Sequence, residues 1–482
     1  MNYRIVGKVL GLFLLFFGIV IALPALVAWH FREGFAAVCF LLVALPTSAL
    51  GATLYFSFKN TRERMYRKEG LLVVSAGWLL SAAIGALPFT ISREIPSFTD
   101  AFFETMSGFT TTGASILTDI ESLSQSLLFW RSFTHWLGGV GIIVLFIAIL
   151  PVLGVGSKHL FRVEVPGPNK DSFLPRLRDT ATALWVIYVV ISILEFAALM
   201  FSGLNWFDAS IHTFGTMATG GFSNYNQSVG HFQNPAAEWV IIFFMLAAGV
   251  NFSLYFQLIR GRALFFRDTE FRAYSIIALF AIGGLYLSTV LGGVLQHSHH
   301  GIRACAFHAV SILTTTGFAT ADFDTWPSFA RIILFGLMFI GASAGSTGGG
   351  LKVVRIVILL RWAWRSVIRT FQPQAIVPVR INKRLLSQEM EDQVTGLFIA
   401  FIGLFILGTL TISALGFGFD ASMSASIACL GNVGPGLGIF GPSGNYAIMP
   451  TLGKWVLSML MMAGRLEVYA LLVLFAPSFW RK

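Results

Sequence analysis

Ten apolar stretches, each long enough to cross about 30 Å of hydrocarbon, dictate the solvent in which this chain can fold. They lie near 9–28, 35–56, 71–91, 127–153, 181–203, 237–259, 274–295, 330–360, 394–416 and 455–476. Of the 482 residues 56% are hydrophobic and 12% charged, more apolar surface than a soluble domain of this size can hide. The expected class is an all-α polytopic membrane protein. The first stretch follows Arg4 and Lys8 as a signal peptide would, but its run is longer than an h-region. A second span follows after Arg32-Glu33-Gly34, so the first is expected to remain in the mature chain.

Charge sets the orientation. The formal net charge of +10 would suit a nucleic-acid partner, yet 26 of the 33 Lys and Arg fall on alternate connections when the N-terminus is placed inside. That is the positive-inside pattern, with both termini cytoplasmic. Cys39, Cys305 and Cys429 lie in apolar surroundings with neither pairing nor metal spacing, so no disulfide framework is expected. No Ser/His/Asp set or paired carboxylate points to an enzyme.

Within this frame one short stretch recurs. Thr110-Thr111-Thr112-Gly113 is followed by Ala218-Thr219-Gly220-Gly221, by Thr314-Thr315-Thr316-Gly317 and, loosely, by Gly431-Asn432-Val433-Gly434. Each follows a short run and lies between two long apolar segments, so the unit is helix, pore loop, helix, used four times. Asp100, Asp208 and Asp420 suit the start of the short run, with Ala304 in the third copy. Asp100 to Gly113 and Asp208 to Gly221 span the same thirteen positions, whereas the fourth copy has one extra residue. Such a run is too short to cross the membrane and reads as a re-entrant pore helix. Ahead of these units, the hairpin at 1–69, kinked by Pro24 and Pro46, is assigned no chemistry. The units are bounded at 70–157, 158–260, 261–384 and 385–482.

Lone Thr and Gly in a membrane segment ordinarily mean close helix packing. Four copies at matched places point instead to four pseudo-symmetric quarters around a central ion pore. Threonine and glycine backbones can present rings of carbonyl oxygens that replace an ion's hydration shell. Short helices aiming their C-terminal ends at the axis add negative potential. The stretches contain no carboxylate, which disfavours calcium and favours a weakly hydrated monovalent cation such as potassium. The expected contacts are Thr110, Thr111, Thr112, Gly113, Thr219, Gly220, Gly221, Thr315, Thr316, Gly317, Asn432, Val433 and Gly434, with the fourth copy least certain in its contribution.

Two features lie off that ring. The eighth span carries five glycines from Gly341 to Gly350, enough to unwind a helix. Gly345, Gly348, Gly349 and Gly350 are its expected movable part; a rigid close-packed kink is the alternative. The run resembles a phosphate-binding loop, but Leu351 separates Gly350 from Lys352 and breaks that motif. Arg465, near the middle of the last span, is the only basic residue expected so deep. It should face protein or pore, as a barrier or as a donor to loop carbonyls. Glu467, about 200° further round a continuous helix, is not its same-face partner.

Glu104, His212 and His308 occupy equivalent positions on the short helices, where hydrogen bonding behind the ring is the favoured role. His297, His299 and His300 look like a metal cluster but sit in an outer loop. The basic stretch from Arg361 to Arg384, broken by Pro373 and Pro378, suits anionic headgroups or an acidic partner. A coupled carrier built from broken helices would need inverted repeats, while these copies share one orientation because two spans separate each from the next. A proton- or sodium-coupled form of the same architecture stays open.

The four-fold plan, the run Gly341 to Lys352 and the tail from Gly464-Arg465-Leu466-Glu467 to Trp480-Arg481 resemble the Trk/Ktr/HKT superfamily of potassium-translocating subunits, over nearly the whole chain. The resemblance implies that Gly113, Gly221, Gly317 and Gly434 mark a potassium-preferring filter. It also implies that 341–350 is an intramembrane gate held by Arg465, and that the protein works in the inner membrane as a homodimer. The partner it implies is a cytosolic ring of TrkA-like nucleotide-binding subunits. No covalent cofactor is expected, only potassium in the pore.

Overall fold

The computed structural model describes residues 1–61, 65–152, 173–261, 265–295, 298–382 and 384–481. The expected repeat boundary at 157/158 and His297 lie outside these residues. The described chain is helical apart from one two-residue ladder and one isolated bridge.

An N-terminal hairpin pairs α1 (Tyr3–Ala22) and α2 (Pro24–His30) with α3 (Gly34–Phe58). The break at Leu23 precedes Pro24, which opens α2 as its first residue, a position that needs no amide donor. Gly11 and Gly51 sit where a β-carbon would strike the facing backbone, so small residues let α1 and α3 pack closely. The hairpin also reaches the rest of the molecule: Glu33 accepts from the amides of Gln125 and Ser126, which start the fourth span.

Long and short helices then alternate. The first set is α4 (Arg67–Ile91), α5 (Phe98–Phe109) and α6 (Gln125–Val152), and the second is α7 (Phe173–Phe201), α8 (Trp206–Ala218), α9 (Pro235–Ala248) and α10 (Phe252–Ile259). The third is α11 (Thr269–Leu291), α12 (His299–Leu313), α13 (Ser328–Met338) and α14 (Val353–Phe371). After β1 (Arg380–Ile381) and β2 (Arg384–Leu385) come α15 (Gln388–Ala414), α16 (Phe419–Leu430), α17 (Thr451–Arg465) and α18 (Tyr469–Leu472).

Among the described residues six helices are long and apolar enough to cross a membrane, and eight spans result if two bent pairs count as one each. The remaining two expected spans correspond to α6 and to α13 with α14. The bent pairs correct the sequence reading. The expected continuous span 237–259 is broken between α9 and α10 with an 89° bend, and 455–476 is broken after Arg465 with a 117° bend. Neither break carries proline. At the first, Asn251 caps α10 by accepting from the Ser253 amide, and at the second Glu467 and Val468 both take positive φ.

The short helices begin earlier than their aspartates suggest. Ser97 and Asn205 are the caps of α5 and α8, accepting from the amides of Asp100 and Asp208. Those aspartates therefore stand in the first turn, where negative charge suits the helix N-terminus. Helix α12 starts at His299 and is capped by Ser298, which leaves Ala304 in its second turn.

Candidate ion-conduction site

Each short helix ends on the same backbone figure. Thr111, Thr219, Thr315 and Asn432 take left-handed φ of 52°, 55°, 60° and 55°. Two residues on, Gly113, Gly221, Gly317 and Gly434 take φ of 82°, 81°, 80° and 97°, a conformation that glycine alone adopts without strain. The amides preceding each glycine fold back onto the helix: Thr112 to Ser107, Gly220 to Gly215, Thr316 to Ser311 and Val433 to Ala428, all 2.8–2.9 Å. With the amides held behind, the carbonyls are turned away. No described backbone amide donates to the carbonyls of Thr111, Thr112, Thr219, Gly220, Thr315, Thr316, Asn432 or Val433. The fourth turn is in register with the others and α16, like α5, has 12 residues, so the expected extra residue is no insertion: Asp420 simply stands one position earlier in its helix than Asp100.

The four turns touch in chain order and close a circle. A β-carbon added at Gly113 would overlap the Gly220 carbonyl oxygen, one at Gly221 that of Thr316, and one at Gly317 that of Val433. One at Gly434 would fall 2.5 Å from the Thr112 oxygen. Thr110, Thr111, Thr112, Thr219, Thr315, Thr316 and Asn432 are all fully buried. The circle is unequal in its fastening. Thr110 pairs with Thr112, and Thr314 with Thr316, through hydroxyls 2.8 Å apart. Asn432 closes the seam between last and first turns, its amide nitrogen donating to Thr112 Oγ1 at 3.0 Å and to the Met461 carbonyl.

A second layer ties each short helix to the chain leaving its turn. Glu104 accepts from the Ile116 amide at 2.9 Å, His212 Nε2 meets Ser223 Oγ at 3.0 Å, His308 Nε2 meets the Ala321 carbonyl at 3.0 Å, and Ser424 donates to Leu437. Glu104 also pairs with Arg131 at 2.6 Å, both side chains almost completely buried. Arg131 continues to the Ser223 carbonyl and lies over the Phe222 ring, joining the first two units. His135 does likewise between Gly108 and Phe222. Arg131 and His135 were given no part by the sequence reading, although a charge inside an apolar span is the signal that marks such residues.

The glycine-rich segment departs from helix between α13 and α14. Its neck is closed by the Gly341 amide donating to Leu351 and Val353 to Ala342. Inside it, the Gly349 amide donates to Thr315 Oγ1 at 2.8 Å, and Gly349 lies against Asn432 and the Gly431 carbonyl. Gly345 accepts from Phe252 at the break between α9 and α10, so that break receives the loop. Lys352 donates back to the Gly348 carbonyl. Gly348, Gly349 and Gly350 are thus packed against the third and fourth turns, while Gly345 lies against Asn251 at the break between α9 and α10.

Arg465 is the last residue of α17 and donates to the carbonyls of Thr347 and Gly138. It faces protein, but it is not the only deeply buried cation, because Arg131, Lys352 and Lys454 are also buried. Glu467 pairs with Arg355. It is no partner of Arg465, though for a different reason than helical phase: the helix has already ended. His299 begins α12 and His300 lies against Arg303, and among the described residues no group of His, Cys, Asp and Glu could hold a metal ion.

The chain matches the family model described as TrkH, cation transport protein, over residues 36–482. It is 40% identical to the Trk system potassium uptake protein TrkH of Salmonella typhimurium, over the whole of both chains. It is 31% identical to the Trk system potassium uptake protein TrkG of Escherichia coli, covering 100% of this chain and 99% of that one. The crystal structure of the potassium transporter TrkH from Vibrio parahaemolyticus is similar over the full length of both chains, with a TM-score of 0.90 at 36% identity.

Proposed function

The chain belongs to the TrkH family of cation transport proteins and is a multi-pass potassium uptake transporter, and from that premise we propose how its residues carry the ion. Potassium passes through the circle formed by Thr110–Gly113, Ala218–Gly221, Thr314–Gly317 and Gly431–Gly434. The observation that carries this reading is the cyclic contact of four glycine turns whose carbonyls receive no amide. Such carbonyls can replace the hydration of a monovalent cation, and the four short helices present their negative ends there.

The loop 341–350 is the gate beneath this filter, held closed by Arg465 through Thr347 and by Gly349 through Thr315. The four quarters run 70–157, 158–260, 261–384 and 385–482, after the hairpin at 1–69. The distribution of Lys and Arg supports cytoplasmic termini in the inner membrane. The basic surface from Arg361 to Arg384 meets a cytosolic regulatory subunit resembling TrkA, and the transporter is a homodimer with one pore in each protomer.

The test is flux in proteoliposomes with separately imposed potassium, sodium and proton gradients. Potassium movement that follows its own electrochemical gradient is expected. A requirement for a sodium or proton gradient would replace the gated filter with a coupled mechanism, and equal passage of rubidium and lithium would remove the selective filter.

A further inference from the structure

Glu270 lies in the first turn of α11, after the cap Asp268, and is buried. Its Oε1 accepts from the Ala344 amide at 2.7 Å and from the Val354 amide at 3.0 Å. These amides flank the glycine run on its two sides, so one oxygen holds together the limbs through which 345–350 joins α13 and α14. Helix α11 belongs to the outer frame of the third unit and does not contribute to the circle of carbonyls.

The residue preceding Glu270 is held from the other direction. Asn382, in the turn between β1 and β2, accepts from the Thr269 amide at 2.7 Å. Its own amide donates to Thr269 Oγ1 at 3.3 Å, and its side-chain nitrogen donates to Asp268 Oδ2 at 2.7 Å. Asn382 takes φ of 48°, a conformation asparagine tolerates better than most residues. Three bonds from one exposed turn thus fix the start of α11, and the next side chain fixes the neck of the loop.

We propose that Asn382 and Glu270 form a two-stage latch through which the position of the exposed 380–385 hairpin sets the position of the 345–350 loop. Glu270 is a positioning residue, since it touches the loop's neck and not the ion path. The proposal rests on the reading of 345–350 as the gate. A ligand or partner that pulls the hairpin from Asp268 and Thr269 loosens the N-terminus of α11, withdraws the carboxylate from Ala344 and Val354, and frees the loop.

The experiment uses the full chain in proteoliposomes, with potassium flux as one readout. The second is the rate at which a cysteine placed at Ser346 reacts with a membrane-impermeant thiol reagent. Glu270→Leu removes the acceptor, Glu270→Gln keeps an oxygen without the charge, and Asn382→Ala cuts the exposed stage without touching the core. Two bonds from backbone amides are released in the first variant, so flux and labelling should both rise about tenfold. Glu270→Gln should fall between wild type and Glu270→Leu. Asn382→Ala should raise both readouts severalfold, and Glu270→Leu with Asn382→Ala should equal Glu270→Leu alone, because the two stages act in series.

Multiplicative effects in the double variant, or Asn382→Ala unchanged in both readouts, would overturn the latch. Deleting 345–350 separates this from the gate itself. Raised flux on deletion with unchanged Asn382→Ala sinks the latch alone, and unchanged flux on deletion sinks the gate and the latch with it.

Discussion

Substituting Gly434 separates backbone strain from damage to the filter. Its φ is 97°, and an added β-carbon would lie 2.5 Å from the Thr112 carbonyl oxygen and 2.9 Å from the Gly113 carbonyl carbon. Gly416, in the turn after α15, has φ of 96° with nothing within 4 Å of its would-be β-carbon. Alanine at either position therefore carries nearly the same conformational cost, about 1–3 kcal/mol. Only Gly434→Ala must also displace backbone, by about 1 Å to restore ordinary contact, and what it displaces is a carbonyl of the first turn. Because that oxygen belongs to the main chain, no rotamer change relieves the overlap. A tenfold change in ion preference corresponds to about 1.4 kcal/mol, so moving one carbonyl out of a ring suffices for a loss of about tenfold in potassium over sodium. The assay is competitive rubidium and sodium uptake in proteoliposomes, with thermal stability measured in parallel. A shared loss of stability from strain, a further loss in Gly434→Ala from the overlap, and selectivity lost only in Gly434→Ala are expected. Equal selectivity in the two variants would refute the cyclic-contact argument.

Other perturbations test single contacts. Arg465→Ala, which removes donors to Thr347 and Gly138, should raise flux in stably folded protein; unchanged or lower flux counts against its holding role. Arg131→Met leaves the Glu104 carboxylate buried and should cost about 3–5 kcal/mol, read as a fall in Tm, while Arg131→Met with Glu104→Met should recover much of it. His135→Leu removes the link between Gly108 and Phe222 and should lower selectivity more than stability. Lys454→Gln breaks a pair between the buried Lys454 and the partly exposed Asp100 and should lower Tm by the equivalent of about 1–3 kcal/mol, between the exposed and the fully buried cases; an unchanged Tm would contradict it.

How much was legible follows from the kind of signal. Helix class and the presence of several membrane-length apolar helices come from hydropathy, which the bilayer enforces along the whole chain. The four turns were visible because each needs a glycine at positive φ, and the same demand repeats at Gly113, Gly221, Gly317 and Gly434. The breaks at 249–251 and 466–468 were not visible, because both lie within apolar runs that a hydropathy reading joins. Arg355 with Glu467, Glu270 with Ala344 and Val354, and Asn382 with Thr269 pair residues 74 to 113 positions apart. Glu270 bonds backbone amides, which no side-chain pattern records. Glu104, His212, His308 and Ser424 share a task while differing in chemistry, so a search for identical residues would pass over the fourth.

The seam at Asn432 has a consequence for wear and repair of the ring. Three joints between neighbouring turns are spanned by continuous polypeptide somewhere in the fold; the fourth joins the two ends of the sequence and is closed without one, by the Asn432 bond to Thr112 and by the Tyr446 amide donating to the Ser115 carbonyl at 2.8 Å. Asn432 bonds Thr112 across that joint and also lies against Gly349. The one joint without a chain connection therefore abuts the glycine-rich loop, and one asparagine shares its contacts between the clasp and that loop. A pore made of four identical chains has no such privileged corner. A single chain does, and under the proposed gating any movement of 341–350 reaches the ring at this residue.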